Sequence, residues 1–153
     1  MATTLPPDFK EFLRLLEQKQ IDYMLVGGYA VGLYGYTRAT VDLDIWVRRD
    51  TATSKKLFAL LEEFGFPTRD VTAEEFTEPD IVFQMGVPPV RLDLLTSVSG
   101  VEFDPAFERR RRLTLDEMEI NVISLADLRT NKKAFGRLQD LNDIEQLKRN
   151  TKD

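Results

Sequence analysis

Two carboxylates stand one residue apart in the segment VDLDIWV. Asp42 and Asp44 alternate with apolar residues, a pattern that predicts a β-strand. Because residues i and i+2 of a strand point to the same face, both carboxylates should project side by side. Two such charges repel each other unless a cation lies between them, and a hard ion such as Mg²⁺ prefers oxygen ligands. A solvated strand edge is the alternative interpretation.

A third carboxylate, Asp93, lies in the apolar segment VRLDLLT, which also predicts a strand. A buried charge is costly unless it is paired or bound to a metal. Arg91 shares the predicted strand face, so a structural ion pair is one explanation. The other explanation is a third metal ligand. Three carboxylates on neighbouring strands can hold two Mg²⁺ ions about 4 Å apart, the arrangement used for phosphoryl and nucleotidyl transfer.

Gly27 and Gly28 stand between an apolar strand pattern, DYMLV, and a short helical pattern, YAVGLYG. Backbone amides at such a turn attract phosphate, and glycine lets a phosphate approach the backbone closely. The spacing matches neither a dinucleotide fingerprint nor a P-loop, since no G-K-[S/T] follows. A plain turn is the alternative, and we interpret Gly32 and Gly35 as helix-packing glycines.

The composition excludes several kinds of chemistry. The 153 residues include no histidine and no cysteine, which removes imidazole bases, Ser-His-Asp triads, thiolate metal sites and disulfides. A net charge of −5 makes the chain a poor general nucleic-acid binder. The N-terminal segment does not resemble a signal peptide, and no apolar run approaches the roughly 18 residues of a membrane span. We therefore expect a cytoplasmic protein with no membrane partner.

Alternating helical and strand patterns must position these residues. Helical spacing predicts helices over residues 8–20, with Asp8 as the cap, over residues 51–65, stopped by Gly65, and over about residues 125–150, with a break at Gly136. Strands are predicted in DYMLV, VDLDIWV, DIVFQMG and VRLDLLT, and a hairpin in RRLTL-DEM-EINVIS. The order predicts an α/β or α+β fold, a small mixed β-sheet flanked by helices. We expect a single domain over residues 1–153, with the C-terminal helices packing on its core.

Together, these segments resemble the nucleotidyltransferase superfamily of the DNA polymerase β-like fold. The resemblance rests on VGGYAVGLYGYTRATVDLDI and RLDLL, a glycine pair followed by D-x-D and a later aspartate. The patterns GxxRxTxDLDI and LADLRTNKKAFGRLQDLNDIEQL further resemble small bacterial nucleotidyltransferases related to those of abortive-infection and toxin–antitoxin systems. In that subgroup the late segment carries N-K, G-R and D-x-x-D. The matching residues here are Asn131, Lys132, Gly136, Arg137, Asp140 and Asp143.

The resemblance implies transfer of a nucleoside monophosphate from an NTP to an acceptor hydroxyl, with release of pyrophosphate and with Mg²⁺ or Mn²⁺ as cofactor. The implied catalytic and metal-binding residues are Asp42, Asp44 and Asp93. The implied nucleotide-binding residues are Gly27, Gly28, Arg38, Thr40 and Lys132. In this picture the glycines line the triphosphate and Lys132 contacts a phosphate. Arg38 could equally hold the aspartates in a structural network, and Asp143 could orient a neighbouring side chain.

Several alternatives stay open at this point. The acceptor could be RNA such as tRNA, a hydroxyl side chain of a partner protein, or a small molecule, and a homodimer or partner could complete the pocket. A catalytically silent partner-binding module, such as one half of a toxin–antitoxin pair, is the alternative to an enzyme. A D-x-D sugar-nucleotide transferase lacks support, because nothing resembles its larger domain. The basic run ERRRRL, residues 108–113, is interpreted as a solvated hairpin edge, with an RNA contact as the alternative.

Overall fold

A computed structural model describes residues 5–35, 42–87 and 90–135 of the chain. The strands are β1 (Tyr23–Val26), β2 (Asp42–Val47), β3 (Val82–Val87), β4 (Val90–Leu95), β5 (Arg111–Leu115) and β6 (Met118–Val122). The helices are α1 (Pro7–Gln18), α2 (Gly27–Leu33), α3 (Thr51–Phe64), α4 (Phe103–Glu108) and α5 (Leu125–Phe135), and a short 3₁₀ helix spans Ala73–Thr77. Within these ranges no helix is both long and apolar enough to cross a membrane.

The strands form one mixed sheet in the order β3-β4-β2-β1-β6-β5. β2 runs parallel to β4 and β1 runs parallel to β6, while the other neighbours are antiparallel. The predicted fold class, a small mixed sheet flanked by helices, is therefore confirmed. The order also places β2 directly beside β4, although 42 residues lie between the end of β2 at Val47 and the start of β4 at Val90.

Strand alternation gives β2 one apolar face and a second face that carries its two carboxylates. Leu43 and Ile45 of β2 are fully buried, and they belong to the same core as Phe12 of α1 and Leu57 of α3. Burial of each such side chain contributes about 1.5–3 kcal/mol, so this face anchors the sheet on its helices. The alternate residues of β2, among them Asp42, are thereby turned to the opposite face.

The helix ends follow local sequence signals with one exception. α1 begins at Pro7, whose fixed φ suits a first helical turn, and Asp8 makes no capping hydrogen bond, so the predicted Asp8 cap is wrong. Asp50 caps α3 by accepting a 2.7 Å hydrogen bond from the Thr53 backbone N–H. Gly65 ends α3 in the left-handed conformation, with φ of 91°, as the sequence predicted.

The predicted hairpin is confirmed as β5–β6, but its turn is shorter than expected. The strands pair from Arg111 opposite Val122 to Leu115 opposite Met118, so the turn consists of Asp116 and Glu117 alone. Both turn residues have positive φ, 49° and 67°. Helix α4 was not predicted, because it is six residues long and includes Pro105.

The last predicted helical region is described only in part. α5 begins at Leu125 and is described as far as Phe135. The predicted break at Gly136 and the motif residues Arg137, Asp140 and Asp143 lie outside the described residues.

Candidate active site

The parallel pairing of β2 with β4 brings the three predicted carboxylates to one place. Asp44 lies directly opposite Asp93, and Asp42 lies opposite Arg91, its neighbour on the same sheet face. Asp93 is 6% exposed. Two strands far apart in sequence thus contribute Asp42, Asp44 and Asp93 to one cluster, as the sequence interpretation required.

Arg91 holds two of these carboxylates. Its Nε and Nη2 atoms donate hydrogen bonds to the two carboxylate oxygens of Asp93, each at 3.2 Å, and Nη2 lies 3.7 Å from Oδ2 of Asp42. The ion pair between Arg91 and Asp93, which the sequence offered as an alternative to a metal site, is therefore present. A cation bound by Asp93 would compete with Arg91, because both oxygens accept hydrogen bonds from that one guanidinium.

Asp44 lies in an environment that opposes its negative charge. Burial, followed by the charges of Asp93 and Asp42, raises its pKa from 3.8 to about 6. The charges of Lys132 and Arg91 act in the opposite direction. Lys132 is 5% exposed, so α5 carries a buried ammonium group into the neighbourhood of Asp44. The predicted contact between Lys132 and a phosphate stays a prediction.

Gly27 makes room for Asp44. It has φ of 70°, which favours glycine, and a Cβ atom at this position would lie 2.1 Å from Oδ2 of Asp44. The antiparallel pairing of β1 and β2 creates this contact, because it sets Val26 opposite Asp44. The close approach that the sequence predicted for a phosphate at this glycine is made here by a carboxylate. Gly28 follows in the first turn of α2 and is buried.

The donor set suits a divalent cation. All three acidic groups offer oxygen, and three negative charges meet two positive ones, Arg91 and Lys132, leaving a net −1 around Asp44. In the described part of the chain, however, no group of three acidic side chains is already placed to enclose a metal ion. In the described arrangement, both oxygens of the Asp93 carboxylate accept hydrogen bonds from Arg91.

Two predicted nucleotide-binding residues, Arg38 and Thr40, lie outside the described residues. Along the chain they stand between α2 and β2, shortly before Asp42. Their assignment stays a prediction.

Comparison with known proteins identifies the family. Residues 7–153 match the family described as "Nucleotidyl transferase of unknown function (DUF2204)". The chain belongs to this nucleotidyltransferase family. The predicted membership of the nucleotidyltransferase superfamily is confirmed, and the chain is a nucleotidyltransferase enzyme. Among curated proteins, none matches the sequence significantly.

Two solved structures share the fold of this nucleotidyltransferase. A candidate nucleotidyltransferase from Thermotoga maritima (TM1012) superposes with a TM-score of 0.60 at 14% sequence identity, over 95% of this chain and 94% of that chain. The lincosamide antibiotic adenylyltransferase LnuA, with lincomycin bound, superposes with a TM-score of 0.59 at 18% identity, over 98% of this chain and 100% of that chain. At these identities the likeness establishes the fold.

Trp46 borders a feature of the nucleotidyltransferase that the sequence did not reveal. It packs edge-on against Phe103 of α4, with ring centroids 5.1 Å apart, and both rings line a cavity beyond the carboxylates. The cavity could not be predicted, because its second wall comes from the unpredicted helix α4.

The basic run of the nucleotidyltransferase is largely occupied by contacts within the chain. Arg109 donates two hydrogen bonds to Asp127, at 3.0 and 2.9 Å, and Arg112 donates to Glu17 at 2.9 Å. The guanidinium of Arg110 lies 3.8 Å from the centroid of the Phe107 ring. Of the arginines in the run, only Arg111 and Arg112 lie on the hairpin strand β5, so the predicted hairpin edge covers part of the run, and the RNA contact stays a prediction.

Proposed function

We propose that this nucleotidyltransferase moves a nucleoside monophosphate from an NTP to an acceptor hydroxyl and releases pyrophosphate. The observation that carries the proposal is the register of β2 and β4, which sets Asp44 opposite Asp93 beside Asp42. The buried ammonium of Lys132 near this cluster supports it, because a lysine is a suitable point charge for a phosphate. Family membership supports the reaction type.

In the proposed reaction, the acceptor oxygen forms a bond to the α-phosphorus of the NTP. The bond from that phosphorus to the bridging oxygen breaks, and pyrophosphate leaves with the electron pair. The proton of the acceptor hydroxyl passes to a carboxylate, and Asp93 is the proposed residue for receiving it or for orienting the hydroxyl. Gly27, Gly28, Arg38, Thr40 and Lys132 are the proposed contacts of the nucleotide.

Asp42, Asp44 and Asp93 would hold Mg²⁺ or Mn²⁺. When bound, the ion would neutralise their mutual repulsion and supply Lewis-acid stabilisation of the phosphoryl charge. The remaining contribution of the chain is to position the carboxylates: Gly27 leaves room for Asp44, and Arg91 orients Asp93 through two hydrogen bonds.

The test is labelling of an acceptor by α-labelled NTP. Asp42→Asn and Asp44→Asn should each abolish labelling, because each replaces a carboxylate by a neutral amide of nearly the same volume. Asp70→Asn, at an exposed position outside the site, is the matched control and should label like the wild type. The assigned site is wrong if either site variant labels as well as the control.

Binding measurements separate the enzyme from a silent module. Calorimetry with each NTP in the presence of Mg²⁺ or Mn²⁺ should show metal-dependent binding, and labelling in a cell lysate with each α-labelled NTP should give the base preference and the labelled species. Absence of both metal and nucleotide binding would contradict the proposed reaction. A role in a toxin–antitoxin system, a protein partner, an RNA acceptor and a homodimer stay predictions.

A further inference from the structure

Lys132 occupies a position of α5 at which the helical pattern calls for an apolar side chain. Leu125, Leu128 and Lys132 follow the i, i+3, i+7 spacing of one helix face. All three side chains are buried, and the two leucines belong to the hydrophobic core. A buried ammonium group is costly unless charged groups lie close to it, and the charge of Lys132 does act on Asp44. The packing of α5 therefore determines where this charge lies.

A tight turn after β4 contacts α5 next to the buried lysine. A β-bridge between Val98 and Val101 closes this turn, which we call the 98–101 turn, and its two central residues are Ser99 and Gly100. The side-chain amide of Asn131 donates a 2.9 Å hydrogen bond to the carbonyl oxygen of Ser99. Because Asn131 directly precedes the buried lysine in the sequence, this hydrogen bond holds α5 one residue away from the ammonium-bearing position.

Gly100 determines how closely α5 approaches the 98–101 turn. Its φ is 80°, and a Cβ atom at this position would lie 2.7 Å from the Cβ atom of Ala134. Two carbon atoms in ordinary contact are about 3.5–4.0 Å apart, so a larger residue would push α5 away from the turn. The helix is therefore fixed to the turn by a hydrogen bond from Asn131 and by a close contact that glycine permits.

The 98–101 turn follows the strand that carries the third carboxylate of the cluster. Asp93 lies in β4, which ends at Leu95, and the turn begins three residues later at Val98. Thr96, between them, is buried, and its hydroxyl accepts a 2.9 Å hydrogen bond from the Ile81 N–H. The sheet therefore holds the connection, and the connection holds α5 through the turn.

From these observations we propose that Asn131 and Gly100 are positioning residues of the nucleotide site. They hold α5 at the place from which the ammonium group of Lys132 reaches the carboxylate cluster and the phosphate that binds there. Because the attraction between two charges falls with their separation, a small displacement of α5 weakens that contact. The part of this inference that concerns the phosphate rests on the proposed function, whereas the placement of Lys132 does not.

The reactivity of Lys132 toward acetic anhydride tests its placement without nucleotide or metal. Asn131→Ala removes the hydrogen bond to Ser99, and alanine is the better helix former, so α5 itself is not weakened. Lys133 is exposed and serves as the internal reference. Peptide mass spectrometry gives the ratio of acetylation at Lys132 to that at Lys133. We expect this ratio to rise about fivefold in the variant, the factor that corresponds to one lost hydrogen bond.

Thr130→Val is the matched control for this experiment. It removes a hydrogen bond from Thr130 to the Ala126 carbonyl oxygen, which lies within α5 and does not reach the turn. The acetylation ratio should therefore equal that of the wild type. An unchanged ratio in Asn131→Ala, or an equal rise in the control, would overturn the proposed placement.

A double-mutant cycle on NTP binding tests the link from Asn131 to the nucleotide. In calorimetry with NTP and Mg²⁺, we expect Lys132→Gln to weaken binding about tenfold, because a hydrogen bond to a charged group is lost. Asn131→Ala should weaken it about threefold in the wild-type background and should have no further effect when Lys132→Gln is already present. Lys133→Gln removes the same charge from an exposed position and should bind NTP like the wild type.

This inference and the proposed function can fail separately. If the wild type showed no metal-dependent NTP binding, the proposed function would be refuted, and the acetylation ratio would still decide whether Asn131 places Lys132. If NTP bound and the losses from Asn131→Ala and Lys132→Gln multiplied, the proposed function would stand and the positioning role would be refuted.

Discussion

Asp44 is an ionisable group whose environment opposes its charge. Its pKa is raised to about 6 chiefly by burial and then by Asp93 and Asp42. A raised carboxyl pKa means that the folded state binds the proton more tightly than the unfolded state. The folded protein therefore gains stability as the pH falls from about 6 toward 4, and the ionised group is destabilising above that window.

Asp44→Asn should consequently stabilise the metal-free protein at pH 7. We expect a gain of about 1–2 kcal/mol in the free energy of unfolding, because the amide places no charge in the buried site and none beside Asp93. Urea denaturation between pH 4 and pH 7 measures the free energy of unfolding. The difference in this free energy between the variant and the wild type should shrink as the pH falls toward 4. Asp70→Asn should show neither effect, and an Asp44→Asn variant that is less stable at pH 7 would contradict the assigned electrostatics.

At the residue scale, the identities of the site residues could be read from the sequence but their contacts could not. Asp42, Asp44 and Asp93 were named from residue type and pattern, and Lys132 was named from the family resemblance. The four residues do lie near one another. The two hydrogen bonds from Arg91 to Asp93 were predicted only as an ion pair that was the alternative to a metal site. The contact of Gly27 with Asp44 depends on antiparallel pairing of β1 with β2, which no local pattern reveals.

The turn of the β5–β6 hairpin has a strained backbone that the sequence patterns did not predict. Its two-residue turn holds Asp116 at φ of 49° and Glu117 at φ of 67°, values that a type I′ turn requires and that glycine adopts at least cost. Asp116 is useful to the fold, because its carboxylate accepts a hydrogen bond from the Leu5 N–H at 3.1 Å. Nothing comparable involves the side chain of Glu117 in the described residues.

Glu117→Gly should therefore stabilise the protein by about 1 kcal/mol, the cost of a left-handed conformation for a residue with a Cβ atom. The measurement is the midpoint of urea unfolding. Glu119→Gly is the matched control: it makes the same chemical change inside β6, where glycine should destabilise by about 0.5–1 kcal/mol. If both variants changed the stability in the same direction, the turn geometry would not be the cause of the effect at Glu117.

At the element scale, periodicity predicted the long helices and the six strands, because each presents a repeated apolar face. It did not predict α4 or the 3₁₀ helix at Ala73–Thr77, whose five or six residues are too few to show a period. It also could not supply the strand order. That order, rather than any element alone, determines that Asp44 faces Asp93.

At the scale of the whole molecule, charge argues against a general affinity for RNA. The net charge is −5, and Arg109 and Arg112 of the basic run are bound to Asp127 and Glu17. Replacement of Arg110 and Arg111 by glutamine should leave the salt dependence of RNA binding unchanged. Titrations with single-stranded RNA at several salt concentrations give the slope of the logarithm of the binding constant against the logarithm of the salt concentration. A slope that falls in magnitude by about 0.7 per replaced arginine would instead support an RNA contact.

The distance along the chain between the site residues has a consequence for when the site can form. Asp44 and Asp93 are 49 residues apart (93 − 44 = 49), and Lys132 follows 39 residues after Asp93 (132 − 93 = 39). Closing such loops costs entropy before any contact repays it. Arg91 joins the carboxylates from β4 itself, whereas the ammonium group of Lys132 comes from α5, one of the last described helices. Part of the charge that offsets the repulsion at Asp44 is therefore present only once α5 has docked on the sheet.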